Sequence, residues 1–130
     1  MGVIAPIRTG GPVLTPYPAL RGYQYLAPFA FNAGGHDFTI PAGYVIDGAS
    51  VPTLIGLLHR AMFNPFDPRV MDGAGRHDWL CDAKPSHVPS DVAAADFQRV
   101  IERDGIGATK AELAFQGVNR FGPQWGKRRD

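Results

Sequence analysis

The chain has 130 residues, which is the common length of a single domain, so we expect one hydrophobic core. Its 13 Lys and Arg residues nearly balance its 12 Asp and Glu residues, which gives no reason to expect a specific nucleic-acid partner. One cysteine excludes an intramolecular disulfide framework, and no run approaches the roughly 20 apolar residues that a membrane span needs, so we expect a soluble chain without an export signal.

The two ends of the chain are predicted to lack regular structure. Residues 1–22 hold several prolines and glycines and show neither an alternating nor a helical pattern, which predicts an irregular N-terminal arm. Residues 123–130 contain Lys127-Arg128-Arg129 and are interpreted as a solvated basic tail. Residues 23–122 between them form the predicted domain.

A small antiparallel β-meander is predicted for the first part of this domain. The aromatic-rich segment 23–31 precedes the turn-forming residues 32–35 and a second extended segment, 36–40, which indicates a hairpin. Pro41-Ala42-Gly43 predicts another turn, and Tyr44-Val45-Ile46 a short strand that ends at Asp47.

Three or four short helices are predicted to follow, which makes the fold class α+β. The first is expected over residues 51–63 and the second over 70–81, although two glycines weaken its first turn. The third is expected to end near Arg103, with Ser90 or Asp91 as its cap. The spacing of Thr109 and Glu112 suits a capping box at the start of a fourth helix.

Asp96 is the first candidate for a functional residue. It lies in the apolar stripe of the third predicted helix, four residues from both Val92 and Val100. A buried carboxylate without a partner costs several kcal/mol, so we expect a hydrogen-bond donor, a cation or a metal beside it. Replacement of Asp96 by Asn should therefore destabilise the fold.

His77 and Asp78 are the nearest candidate partners, because they lie on the inward side of the second predicted helix. A structural His-Asp hydrogen bond between two helices is one interpretation. The other places Asp47 beside this pair, which would create a general base oriented by a carboxylate, or a divalent-cation site of Asp47, His77 and Asp78. Cys81 lies one turn beyond His77, where a small buried residue is favoured over a nucleophile.

Two segments carry a resemblance to a known family. Residues 40–52 read IPAGYVIDGASVP and residues 77–81 read HDWLC. Together they resemble the phage protein family called domain of unknown function 1353, in which an Ala-Asp pair like Ala95-Asp96 follows further on. Two features depart from the family pattern: Cys81 stands where an aromatic residue is usual, and the arginine that often precedes the Ala-Asp pair has no counterpart among Ser90, Asp91 and Val92.

The resemblance implies a phage or prophage origin, among late genes near tail and lysis functions. Our first hypothesis is an accessory protein of the virion, in the tail or its tip, that packs on other phage structural proteins in an oligomeric assembly. It would be made in the host cytoplasm and then enter the virion. The alternative is a small hydrolase that acts on the host cell envelope, with or without a divalent metal ion. Its catalytic residues would be His77 as general base and Asp78 or Asp96 as the group that orients it.

Overall fold

The computed structural model describes residues 10–17, 22–46, 68–121 and 123–126. Within these residues the chain forms five strands followed by three helices, and this confirms the α+β class. The strands are β1 Leu14–Tyr17, β2 Gly22–Tyr25, β3 Phe29–Ala33, β4 His36–Ile40 and β5 Val45–Ile46. The helices are α1 Pro68–Ala83, α2 Ser90–Arg103 and α3 Ala108–Phe121. The predicted helix over 51–63 and the candidate residue Asp47 lie outside the described residues.

The strands form two small antiparallel sheets, in the orders β1-β2-β5 and β3-β4. The predicted antiparallel strands are confirmed, but β5 pairs with β2 rather than with β4, so the β3–β4 hairpin is inserted between two paired strands. The prediction of an irregular arm over 1–22 is wrong for β1. Pro16 is tolerated in that strand because β1 ends the strand order, where a missing N–H need not break the ladder.

The β3–β4 hairpin closes through Gly34 and Gly35, as the turn-forming residues predict. Both glycines have positive φ, 59° and 81°, which the favoured two-residue hairpin turns require. A Cβ on Gly34 would lie 2.8 Å from a methyl group of Val92, so the turn packs directly on α2. Alternate residues of β3 are buried, and they face the core.

Helix α1 contains the predicted segment 70–81 and extends it at both ends. Its two glycines are positions of close approach. A Cβ on Gly73 would lie 2.8 Å from Ile101 of α2, and a Cβ on Gly75 would collide with the hydroxyl of Tyr25 in β2. The residues that weakened the helix prediction therefore allow α1 to lie tightly between α2 and the strands.

Helix α2 begins and ends as predicted, but the prediction that Ser90 or Asp91 caps it is wrong. Pro89 occupies the N-cap position and no side chain caps the helix. The hydroxyl of Ser90 instead accepts a hydrogen bond from the backbone N–H of Trp125, at 3.2 Å, and the indole N–H of Trp125 donates to the carbonyl of Val88, at 2.8 Å. The segment 123–126 is thereby fixed against the start of α2.

Helix α3 is confirmed, but its predicted capping box does not form. Both carboxylate oxygens of Glu112 accept hydrogen bonds from glutamine side chains, one from Gln98 at 2.8 Å and one from Gln116 at 2.9 Å. The carboxylate therefore links α3 to α2 along the surface. Among the described helices, none combines the length and apolar character that crossing a membrane requires.

The buried apolar side chains form two clusters. One lies between the strands and α1, with Tyr25, Phe31 and Leu80 among its members. The other lies between the three helices and includes Phe97 and Val118. Helix α1 contributes to both clusters, so its polar residues must also be accommodated in the interior.

Candidate functional site

Five charged residues of α1 and α2 form one group, which we call the arginine cluster: Asp72, Arg76, Asp96, Arg99 and Arg103. Residues three, four or seven apart lie on one side of an α-helix. Asp72 and Arg76 are four apart in α1, and the other three members follow such spacings in α2. The sequence thus aligns one charged face of each helix, and the packing of α1 on α2 brings the two faces together.

Asp72 is the most completely bound carboxylate of the cluster. Its Oδ1 accepts a hydrogen bond from Nε of Arg76 at 2.8 Å, and its Oδ2 accepts one from Nη2 of Arg103 at 2.6 Å. Burial lowers the pKa of Arg103, but hydrogen bonds to Asp104 and Asp72 raise the pKa overall, so the guanidinium stays protonated. The side chains of Asp72 and Arg76 are only 4% and 7% exposed, so their charges must be compensated within the cluster.

The strands support Arg76 from its other side. Its guanidinium carbon lies 5.0 Å from the ring centre of Phe31 and 5.5 Å from that of Phe29, within the range of cation–π attraction. Both rings belong to the inward face of β3. The arginine cluster therefore joins β3 to both helices.

Asp96 is buried, as its position in the apolar stripe predicts, and its partners are arginines. Nη2 of Arg99 donates to Oδ1 of Asp96 at 2.7 Å, and Nη1 of Arg76 lies 4.0 Å from the same oxygen. Oδ2 of Asp96 is buried without a hydrogen-bond partner. Arg99, one turn after Asp96, therefore supplies the arginine partner of this carboxylate. Sequence reasoning missed Arg99, although its three-residue spacing from Asp96 was the available signal.

His77 and Asp78 lie beyond the cluster along α1. The half-buried ring of His77 contacts Cys81, with 3.6 Å between Nδ1 and Sγ, and its centre lies 5.7 Å from that of Phe97. Asp78 is buried, and its charge contributes to the raised pKa values of Tyr25 and Cys81. These contacts place His77 against a thiol and an aromatic ring.

The Cys81 thiol is poorly suited to nucleophilic attack. Burial first, and then the charges of Asp78 and Asp82, raise its pKa to about 12, so the thiol stays protonated at neutral pH. The thiolate is the reactive form of cysteine. The environment therefore favours the interpretation of Cys81 as a small buried residue.

The structure brings only part of the expected site together. Asp96 is joined to arginines, so a catalytic set of His77, Asp78 and Asp96 stays a prediction. The metal-site hypothesis also stays a prediction, because Asp47 lies outside the described residues. Within the described part of the chain, no group of three His, Cys, Asp or Glu side chains is arranged to hold a metal ion.

A cleft of about 580 Å³ opens beside the arginine cluster. The hairpin turn forms one wall, and the outer face of α2 forms the other. Its lining residues are Asn32, Gly34, Gly35, Arg76, Val92, Ala95, Asp96, Arg99 and Arg103. Arg99 and Arg103 reach solvent here, because their side chains are 57% and 33% exposed.

The fold and the site define a small α+β domain whose buried arginine–carboxylate cluster opens on a polar cleft. The model of the family described as "Protein of unknown function (DUF1353)" matches residues 23–118. The chain belongs to this family, and the expected resemblance is confirmed.

Two curated relatives are similar to this chain, and both come from Sinorhizobium fredii (strain NBRC 101917 / NGR234). The "Uncharacterized protein y4jT" is 26% identical over 108 residues, which cover 79% of this chain and 30% of that protein. The "Uncharacterized protein y4iH" is 35% identical over 81 residues, which cover 62% of this chain and 31% of that protein. The matches thus span about a third of each relative's length. No solved structure matches the chain.

Proposed function

We propose that this chain is an accessory component of a bacteriophage or prophage particle, located in the tail or its tip. It acts there by packing on other phage structural proteins in an oligomeric assembly, after synthesis in the host cytoplasm. The family resemblance noted in the sequence supports the phage origin. The observation that carries the structural role is the mutual pairing of the buried charges of the arginine cluster.

The pairing supports a scaffold because it links the packed elements and engages one oxygen of Asp96, a candidate residue of the hydrolase. Both oxygens of Asp72 and one oxygen of Asp96 accept hydrogen bonds from arginine. A general base works best when it is oriented towards the proton that it removes. Carboxylates held by guanidinium groups instead fix α1 against α2 and β3.

Purified particles test this proposal. Particles released from a host that carries the gene would be banded in a density gradient and probed with an antibody against the chain. We expect the protein to band with the particles at a fixed ratio to a major tail protein and to stay there after a high-salt wash. Recovery of the protein only in the soluble lysate would contradict the proposal.

A hydrolase that acts on the host envelope is the second candidate, and one observation favours it. The ring of His77 is only half-buried, and it directly precedes a buried carboxylate, Asp78, on α1. The test measures degradation of purified envelope by the wild type, with and without added divalent cations. If the chain is a hydrolase, we expect the wild type to degrade the envelope and the His77→Gln variant to be inactive. The exposed control variant, His87→Gln, should stay active. No degradation by the wild type under either condition would exclude this candidate.

A further inference from the structure

The cleft contains a carboxylate oxygen that lacks a donor. Oδ2 of Asp96 has no hydrogen-bond partner, although Asp96 is only 6% exposed. Buried carboxylate oxygens are ordinarily hydrogen-bonded, because desolvation without a partner is costly. Asp96 also lines the cleft. The missing donor can therefore be supplied by a group that enters the cleft.

The same cleft offers donors that are not fully used. Arg99 donates to Asp96 through Nη2, and its guanidinium carries five N–H donors in all. Its side chain is 57% exposed, so it can turn towards a ligand. The amide nitrogen of Asn32 donates to Asp37 and lies in the opposite wall. A ligand here meets donors from both walls of the cleft and one acceptor, Asp96.

The charges of the lining select an anion. Three arginines line the cleft together with one carboxylate, and the other carboxylates bonded to Arg76 and Arg103, those of Asp72 and Asp104, are not part of the lining. Arginine binds phosphate well because its planar fork matches the oxygen geometry. An anion without a proton would be repelled by Asp96, whereas an anion with an O–H group would donate to it.

We propose that this cleft binds a phosphate group that carries a proton. Arg99 and Arg103 bind its oxygens, and Oδ2 of Asp96 accepts the hydrogen bond from its O–H group. Oδ2 is closed to solvent in this structure, so binding requires a movement of the lining side chains, of which that of Arg99 is 57% exposed. The cleft volume of about 580 Å³ also leaves room for an organic group attached to the phosphate. This site is independent of the proposed place in the particle.

The proposal predicts selectivity among oxyanions of similar size. At neutral pH inorganic phosphate carries at least one proton, whereas sulfate carries none. A phosphate monoester loses its last proton near pH 6, so it carries one mainly below that pH. A phosphodiester anion carries no proton at neutral pH or near pH 6. The expected order at pH 7 is therefore inorganic phosphate first, with sulfate and the diester at least tenfold weaker.

Isothermal titration calorimetry of the full chain tests this order with inorganic phosphate, sulfate, glycerol 3-phosphate and dimethyl phosphate. Glycerol 3-phosphate distinguishes the sources of the group. If only inorganic phosphate binds, the ligand of the cleft is free phosphate. If glycerol 3-phosphate also binds, and binds more tightly at pH 5.5 than at pH 8, the ligand is a phosphate monoester. Equal binding of phosphate and sulfate by the wild type, or no phosphate binding at millimolar concentration, would overturn the proposal.

Three variants locate the site. Asp96→Asn replaces the acceptor with an amide that can also donate, so sulfate should bind about as well as phosphate. Arg99→Gln should weaken phosphate binding at least tenfold. Because Arg99 is exposed, this variant should fold, and it tests the site even if Asp96→Asn does not fold. Arg120→Gln, an exposed arginine at the end of α3, is the control and should bind like the wild type. Unchanged phosphate binding by Arg99→Gln would contradict the assignment.

Discussion

Helices α1 and α3 show two ways in which a sequence can specify a helix. Helix α3 buries one stripe, with Ala111, Ala114 and Val118 at three- and four-residue steps, and turns its charged residues to solvent. Helix α1 is buried on several sides, and Asp72 and Arg76 are among its buried residues. A helix between a sheet and a second helix has little solvent-exposed surface. Its charges must therefore pair internally, and glycine must allow close approach.

The largest expected effect of this difference is the loss of a buried charge partner in α1. Asp72→Ala removes the carboxylate that binds both Arg76 and Arg103, and it leaves the buried guanidinium of Arg76 without its hydrogen-bonded partner. We expect the free energy of unfolding, measured by urea denaturation, to fall by about 3–5 kcal/mol.

Glu112→Ala is the matched substitution in α3. The hydrogen bonds from Gln116 and Gln98 lower the pKa of Glu112, but its carboxylate lies at the surface, where water can replace both glutamines. We expect its denaturation curve at pH 7 to overlay that of the wild type. Similar losses from Asp72→Ala and Glu112→Ala would remove the distinction between the two helices.

Alanine in place of glycine should have opposite effects in the two helices. In α1, Gly75→Ala puts a methyl group against the hydroxyl of Tyr25, and we expect a loss of about 1–3 kcal/mol from overpacking. In α3, an added Cβ on Gly117 meets no atom within 4 Å, and we expect Gly117→Ala to gain about 0.5–1 kcal/mol. Thermal melts of the two variants check the sign. A stabilised Gly75→Ala variant would show that α1 is not held against β2 as described.

The smallest effect concerns the thiol of α1. Because burial raises the pKa of Cys81 from the ordinary value of 9.0 to about 12, the thiol favours folding fully below pH 9, and its contribution falls as the pH rises towards 12. Tyr25, whose pKa burial also raises, acts in the same direction. Cys81→Ala should therefore lessen the alkaline loss of stability without abolishing it.

Thiol modification provides a direct measure of the same burial. At pH 8 we expect the native protein to react with a thiol reagent far more slowly than the urea-unfolded chain. Labelling of the native protein as fast as labelling of the unfolded chain would contradict the buried position of Cys81.

The sequence was informative about elements whose patterns are local. The hairpin turn at Gly34-Gly35 and the amphipathic helices α2 and α3 were predicted because two-residue turns and apolar stripes depend on nearby residues. Strand β1 was missed, because its proline argues against a strand unless the strand's place at the end of a sheet is known. The pairing of β5 with β2 was missed for a related reason: it joins segments separated by a complete hairpin.

The site was predictable only in part. The burial of Asp96 and its need for a donor followed from its place in the apolar stripe. Its donor, Arg99, lies three residues further along the same helix and was missed, whereas the approach of Arg76 to Asp96 depends on how α1 packs on α2. Arg76 was missed because a charged residue in a helix normally indicates a solvent-exposed face. Its four-residue spacing from Asp72 was the only local sign of pairing.

A double-mutant cycle on Asp72 and Arg76 tests the central claim, that these buried charges are paired and hold α1 in place. Urea denaturation would give the free energies of unfolding of Asp72→Ala, Arg76→Ala and the double variant. The account predicts that the double variant loses at least about 1 kcal/mol less than the sum of the single losses, because each single variant leaves the other buried residue without this hydrogen bond, although Asp72 keeps its bond from Arg103. Losses that add to within about 0.5 kcal/mol would show that the two residues do not depend on each other, and would contradict the account.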